Sequence, residues 1–448
     1  MSTLDPSRYY RLPWSLNDNV LVWLEPTKRC NLYCEGCYSR NEKKFDKSVD
    51  QIRADLEVFT KNRRFDSVSI TGGDPLVHDD IVEIVRVIKQ EYGLKPIINT
   101  NALALTPEMV RDLKKAGVFG FTFHIDSGQH RPGGWTGKSE IELCELRLKY
   151  AQMVADAGGM SVAFNSTVYP HTMEQIPGML KWAKEHMDIV NSMVLILFRT
   201  SRTTDFDYFA QGKAVDPKEL VYYDESKLPK PLTAQDLVAK IRETDPAFEP
   251  CAYLGGTKDP QSFKWLVTGR VGDKETISGY VGPKFMELMQ TSHHLFFGKY
   301  VAYSDPSSLK MGRSLMAGGA LVDPSLRQAA MGWAKSLITN PMKALKKQYF
   351  QSIAIIQPID FMADGEANMC DGCPDMTVHN GEMVWSCRLD ERLRYGCFLN
   401  AAPRCGGAQK PAAETKGNGE KTPEKTAEKP EKGEKGEKAP RRKSEVNA

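Results

Sequence analysis

Cys30, Cys34 and Cys37 stand in the stretch "EPTKRCNLYCEGCYSR", three thiols within eight residues. Gaps of three and then two residues let one loop turn its sulfurs to one side. Thiolates so placed are soft anionic donors suited to zinc or to the irons of an iron–sulfur cluster. A structural zinc site is closed by four ligands, whereas three cysteines on a four-iron cluster leave one iron open to a small molecule. A zinc site completed by a distant residue and a plain electron-transfer cluster with a distant fourth cysteine are the alternatives.

A second group follows near the other end. Cys370, Cys373, Cys387, Cys397 and Cys405 are separated by 2, 13, 9 and 7 residues. A close pair with further cysteines downstream reads as a four-thiolate site, with Cys370, Cys373, Cys387 and Cys397 preferred and Cys405 next. Zinc suits such a site as well as a cluster does. Between Cys373 and Cys387, "MTVHNGEMVWS" reads as a hairpin turning at "HNG". Cys251, in "FEPCAYLGG", is a candidate upstream ligand. Cys144, in a helical stretch, reads as a small buried apolar residue.

The elements that must position these thiols alternate from about residue 19 to 200. "NVLVWLEP", "FDSVSITGG", "KPIINTNA", "VFGFTFHIDS", "MSVAFNSTVYP" and "VNSMVLILFRT" read as strands, and amphipathic helical stretches lie between them. In "TPEMVRDLKKAG", Thr106 reads as the N-cap, Pro107 as the first helical residue and Gly117 as the stop. Short apolar strands joined by helices imply parallel pairing with both faces covered, in an open sheet or a partial barrel. From 201 to 360 the pattern is irregular. "SRTTDFDYFAQGKAVDPKELVYYDESKLPKPLT" reads mostly as loop, and "QSIAIIQPIDF" as a further strand.

The 448 residues are 41% hydrophobic and 26% charged, with a formal charge of +3. From Gly406 onward there are eleven Lys/Arg against eight Asp/Glu, so the surplus lies there and the remainder is balanced. That balance offers no footprint for nucleic acid. The repeats "EKGEKGEK" and "KTPEKTAEKPEK" cannot bury a core and read as a disordered tail. No secretion signal opens the chain and no apolar run reaches the ~18 residues of a membrane span, so a cytoplasmic location with reduced thiols is expected. Ten cysteines there point to metal or cluster ligation rather than disulfides.

In this setting the three-cysteine loop resembles the radical S-adenosylmethionine (radical SAM) superfamily. Tyr38 fills the aromatic position after the third cysteine, and "TGGDPL" stands where the family carries a Gly-Gly-Glu-Pro-like motif, with Asp74 in place of Glu. The resemblance implies a partial (β/α)6 TIM-like barrel over 19–200. In it, Cys30, Cys34 and Cys37 hold an open-site [4Fe–4S] cluster, and its free iron is chelated by S-adenosyl-L-methionine. It further implies cofactor contacts from Gly72, Gly73, Asp74, Asn99, Asn101, Asp126, Ser127 and Asn165. "FNSTV", with Thr167, matches the family's fifth strand, and "LILF" on the sixth would bracket the adenine. Arg131 in "SGQHRPGGWTGKSE" is a further candidate contact, whereas His124 reads first as a core histidine. The C-terminal cysteines loosely resemble the SPASM and twitch extensions, which implies an auxiliary [4Fe–4S] cluster.

The organisation expected is therefore a lead-in at 1–18, the core at 19–200, a substrate-covering region at 201–360, a cluster segment at 361–405 and a tail at 406–448. The implied activity is reductive cleavage of S-adenosylmethionine at low potential, roughly −400 mV or below, and hydrogen abstraction by the 5′-deoxyadenosyl radical. A flavodoxin or ferredoxin would supply the electron. Candidate substrates are a peptide, a small molecule or a lipid; a zinc or redox scaffold without catalysis is the non-enzymatic alternative. Met331 to Lys347, apolar on one face and cationic at one end, would suit peripheral contact with a membrane.

Overall fold

Strands with no exposed position require a layer of helices on either face. β1 (Leu21–Thr27), β2 (Ser67–Gly72), β3 (Lys95–Thr100), β4 (Gly120–His124), β5 (Ser161–Val168) and β6 (Ser192–Leu197) are of this kind, and β2 and β5 are buried at every residue. The computed structural model describes residues 4–199, 205–221 and 232–404. The stretch 406–448, expected to be a disordered tail, lies outside them. Helices α1 (Val49–Asn62), α2 (Ile81–Arg86), α3 (Pro107–Ala116), α4 (Leu143–Ala157) and α5 (Ile176–Glu185) alternate with the strands. Their ends follow local chemistry. Ser48 and Gln51 form a capping box on α1. Thr106 caps α3, and Gly117 closes it at φ 101°, a left-handed conformation that suits glycine.

β1 to β6 pair in parallel in chain order. In a flat sheet β1 and β4 would stand about 14 Å apart. Yet Cys34, in the loop after β1, makes a backbone bridge with Gln129, in the loop after β4. The strands therefore curl, and their carboxyl ends ring a common mouth. The fold is mixed α/β with a largely parallel sheet of the partial TIM-barrel kind, followed by a cysteine-bearing C-terminal region.

Two features depart from the sequence reading. Residues 206–215, expected to be loop, form a hairpin of β7 (Phe206–Ala210) and β8 (Lys213–Val215), turned by Gln211 and Gly212 at φ 49° and 79°. The region 201–360 also extends the barrel sheet. β9 (Ala252–Leu254), β10 (Trp265–Gly272) and β11 (Ile277–Tyr280) are followed by α7 (Pro283–Phe297), α8 (Gly312–Gly319), α9 (Pro324–Thr339) and β12 (Tyr349–Ile356); α6 (Ala234–Arg242) precedes them. β12 pairs in parallel with β6, β10 antiparallel with β12, and β9 antiparallel with β10. Tyr10–Arg11 adds a last short strand beside β9.

The second cysteine group carries the expected hairpin, β13 (Met376–His379) and β14 (Glu382–Trp385), with Asn380 and Gly381 at φ 51° and 76°. It is followed by α10 (Leu389–Tyr395) and β15 (Asn400–Pro403), which pairs back onto β7.

Candidate functional site

The cysteine loop leaves the carboxyl end of β1 and is fixed by the glycines that end β2. Gly73 N–H donates to the Thr27 carbonyl at 2.8 Å, and Asp74 N–H to the Arg29 carbonyl at 2.7 Å. A Cβ on Gly73 would overlap the Arg29 carbonyl, and one on Gly72, at φ 108°, would overlap that of Thr27. The glycine pair thus seats the root of the cysteine loop. Asp74 is buried and turns its carboxylate inward. It accepts from Thr100 Oγ1 at 2.8 Å, Asn101 N–H at 2.7 Å and Leu76 N–H at 3.0 Å, tying the ends of β2 and β3 together. Burial lifts this carboxyl to about 6, although those bonds oppose the shift.

The three cysteines are half-buried on one loop, near enough to influence one another's ionisation. Burial pushes Cys34 up, and Cys37, Asp126 and Cys30 add to the effect; burial likewise pushes Cys37 up to about 11 and raises Cys30. Such thiols are neutral at pH 7 unless a cation binds them, and a bound cation reverses that preference. Two have amide donors. Asn101 Nδ2 lies 3.6 Å from Cys30 Sγ, and Gln129 Nε2 lies 3.5 Å from Cys34 Sγ. Tyr38 Oη accepts from Trp23 Nε1 at 2.9 Å and lies 3.2 Å from Thr71 Oγ1, which pins the loop's end to β1 and β2.

The strand ends bring the other candidates around this loop. Asn99 on β3 donates to Ser69 on β2 and accepts from Asn165 on β5 at 3.4 Å, so a polar row crosses the interior. Asp126 is buried at the end of β4. It accepts from Thr167 N–H at 3.1 Å and Gly128 N–H at 3.0 Å, and its Oδ2 lies 2.7 Å from His124 Nε2. Burial raises its pKa, but the His124 contact and the Thr167 bonds outweigh this and hold it below the usual carboxylate range. His124 is therefore partnered, yet its side chain keeps 34% exposure rather than lying in the core. Ser127 N–H donates to Glu140 at 2.7 Å, while its Oγ is buried without a hydrogen-bond partner. Arg131 is 2% exposed. It donates to the carbonyls of Asn101 at 2.7 Å and His124 at 2.9 Å and to Gln129 Oε1 at 2.7 Å, so it clamps β3 to β4 from inside.

In the second group Cys370, Cys373 and Cys387 come together. The Cys370 contact raises Cys373 first, burial next, and Cys387 adds to it; burial pushes Cys387 up to about 11. Cys397 follows α10 and precedes Phe398, whose ring packs 5.3 Å from that of Trp385 in β14. Cys405 lies outside the described residues. Cys251 is a core residue instead: it is fully buried, its Sγ lies 3.3 Å from the Val267 carbonyl, and burial raises it to about 12. Cys144 is buried near the start of α4, as its setting in a helix implied. Among the described residues no group of three or more His, Cys, Asp or Glu converges as ligands of one metal ion do. Thiolates on separate irons of a cluster stand wider apart.

Gln129 carries no spacing signal and was not anticipated. Neither was the ion pair of Glu140 and Arg147, with both side chains at 0% exposure. Glu140 holds the Ser127 N–H, and Arg147 holds the Ile125 carbonyl at 2.7 Å, so the pair fixes the loop after β4 to α4.

Residues 24–183 match the sequence model of the Radical SAM superfamily. A GTP 3′,8-cyclase of Lactiplantibacillus plantarum is 35% identical over 112 residues, 24% of this chain and 33% of that protein. An AdoMet-dependent heme synthase of Methanosarcina barkeri is 27% identical over 196 residues, 42% of this chain and 53% of that one. Molybdenum cofactor biosynthesis protein 1 of Bos taurus is 33% identical over 107 residues, 22% and 17% of the two chains. The chain thus spans about half or less of the curated relatives it matches. Among solved structures, SuiB of Streptococcus suis is similar at a TM-score of 0.37 with 18% identity, over 52% of this chain and 47% of that one. The three-cysteine loop at the mouth of the curled parallel sheet falls within residues 24–183, the stretch of this chain that matches the radical SAM superfamily.

Proposed function

We propose that Cys30, Cys34 and Cys37 hold an open-site [4Fe–4S] cluster that binds S-adenosylmethionine, and that the chain abstracts hydrogen from a substrate at the mouth. The observation that carries this reading is three half-buried cysteines on one loop at the sheet's carboxyl edge, two of them with side-chain amide donors to sulfur. The unpartnered Ser127 Oγ is a polar atom that a bound nucleoside would satisfy. Bound there, cluster and cofactor would supply one-electron cleavage of the sulfonium and, with it, a 5′-deoxyadenosyl radical.

The chain's own residues set the conditions. Asn101 and Gln129 place N–H groups on two sulfurs and favour their anionic form. Asp126, held ionised, orients the His124 ring through its contact with Nε2. Arg131 and the Glu140–Arg147 pair hold the loop after β4 in place. Cys370, Cys373 and Cys387 would hold a second [4Fe–4S] cluster, with Cys397 or Cys405 as the fourth ligand, to take up the second electron or to bind substrate. A flavodoxin or ferredoxin would be the electron donor. Relatives named for heme and for GTP support a small-molecule substrate over a peptide.

The test is Cys30→Ala/Cys34→Ala/Cys37→Ala, purified without oxygen and assayed with S-adenosylmethionine and dithionite. No 5′-deoxyadenosine should form, and iron should fall by about four per chain. Retained formation would sink the assignment.

A further inference from the structure

Of the sixteen large apolar side chains exposed among the described residues, eleven lie between Leu288 and Leu345. The most exposed of these are Leu295, Phe296, Phe297, Leu321, Ile338, Met342 and Leu345, at 65 to 83%. Single exposed apolar residues are ordinary on a soluble protein; a concentration in one subregion is not.

Their place in the fold is defined. β12 runs parallel to β6 and begins at Tyr349, so the segment just before it lies at the amino end of the barrel strands. The end of α7 reaches the same side. His294 contacts Asp18, ahead of β1, at 2.8 Å, and the Tyr303 carbonyl accepts from Lys95, the first residue of β3, at 3.2 Å. Gly312 N–H donates to the Gln348 carbonyl at 2.9 Å, joining the start of α8 to that end. The cysteine loop is at the opposite, carboxyl end.

The charges on this subregion are one-sided. From residue 283 to 347 there are nine Lys/Arg against three acids, Glu287, Asp305 and Asp323. Asp323 is fully buried and spends its carboxylate on the Leu326 and Phe285 N–H groups. Exposed large apolar side chains set among an excess of cations, of which Lys346 is paired with Glu275, fit a surface that is itself apolar beneath and anionic above. No helix of the described residues is long and apolar enough to cross a membrane.

We propose that α7 to α9 and the turn at Pro341–Leu345 dock this chain on an anionic phospholipid surface. The apolar side chains enter the headgroup boundary, and Lys310, Lys335, Lys343 and Lys347 lie among the phosphates. Docking by the amino end leaves the cysteine mouth turned toward water, open to a soluble electron donor and substrate.

Flotation of the full-length, anaerobically purified chain tests this, with phosphatidylcholine vesicles alone or containing about a third phosphatidylglycerol. At about 0.1 M salt the chain should float with the anionic vesicles only, and release as screening grows. Lys343→Glu/Lys347→Glu should weaken this at least about twentyfold, taking about fivefold per cation. Phe296→Ser/Phe297→Ser/Ile338→Ser should abolish it, and iron content and near-ultraviolet dichroism should stay unchanged. Absence of flotation with anionic vesicles overturns the proposal. So does flotation that the charge variant leaves unaltered. A dimer in sedimentation that the apolar variant dissolves, with no vesicle binding, would assign the face to a second copy instead.

Discussion

Two amides sit on cysteine sulfurs, and their effect should be readable in a potential. A reduced cluster carries one more negative charge than an oxidised one, so N–H donors to sulfur stabilise it and raise its potential. Gln129→Leu removes the donor at Cys34 Sγ. If the bond is worth about 1 kcal/mol more in the reduced state, the midpoint falls by about 40 mV for one electron. Titration followed by electron paramagnetic resonance would show this; an unchanged midpoint with full iron would mean that Gln129 only packs. Gly73→Ala asks a different question, because its Cβ would overlap the Arg29 carbonyl. Iron bound per chain should fall while the second cysteine group keeps its share. Cys30, Cys34 and Cys37 were legible in sequence because their chemistry is written in their spacing. Gln129 was not, since a backbone bridge between two loops brings it to Cys34. For Asp74 the position was legible but not the orientation, which depends on donors from β3.

Elements became legible where a local rule decides them. Thr106, Pro107 and Gly117 bound α3 by capping chemistry, and "HNG" turns its hairpin because Asn and Gly accept positive φ. The hairpin at 206–215 escaped because its turn begins with Gln211, a residue type that seldom adopts the left-handed region. The strand at "QSIAIIQPIDF" was legible as an apolar run, whereas the added strands β9 to β11 escaped because antiparallel return strands announce no βα alternation. The pair Glu140–Arg147 escaped for a third reason. At seven residues' separation it follows no helix-pair rule, and only tertiary burial joins the two charges. Breaking such a pair strands a charge in the interior. Arg147→Leu should therefore cost about 3–5 kcal/mol, read as a lowered urea midpoint at unchanged slope. Glu140→Leu/Arg147→Leu should recover part of that loss. A single variant as stable as the parent would show that water reaches the pair.

Across the whole described chain, the C-terminal cysteine segment is a structural part of the barrel. β1 is an edge strand of the large sheet, and unpaired edges invite association with other chains. Here β13 lies against β1. Buried Arg63 joins the Leu21 carbonyl of that edge strand to the carbonyls of Pro374 and Cys373, at 3.0 to 3.2 Å. Burial lowers its pKa to about 10, which still leaves the guanidinium charged at pH 7. At the other end of the strand, Arg40, three residues past Cys37, pairs with Asp390, three residues past Cys387, at 3.1 Å. The Cys387 carbonyl accepts from Arg199 at 2.6 Å. The two cysteine groups are thus held to one frame by backbone and arginine contacts that do not use the thiols. Two variants separate these roles. A chain ending at residue 360 loses the cover of β1 along with the second cysteine group, and it should aggregate on expression. Cys370→Ser/Cys373→Ser keeps the cover. It should stay soluble, lose about four irons and still form 5′-deoxyadenosine from S-adenosylmethionine and dithionite. If that variant aggregated as the truncation does, the thiols and whatever they bind would be what holds the segment against β1, and the arginine contacts would be a consequence.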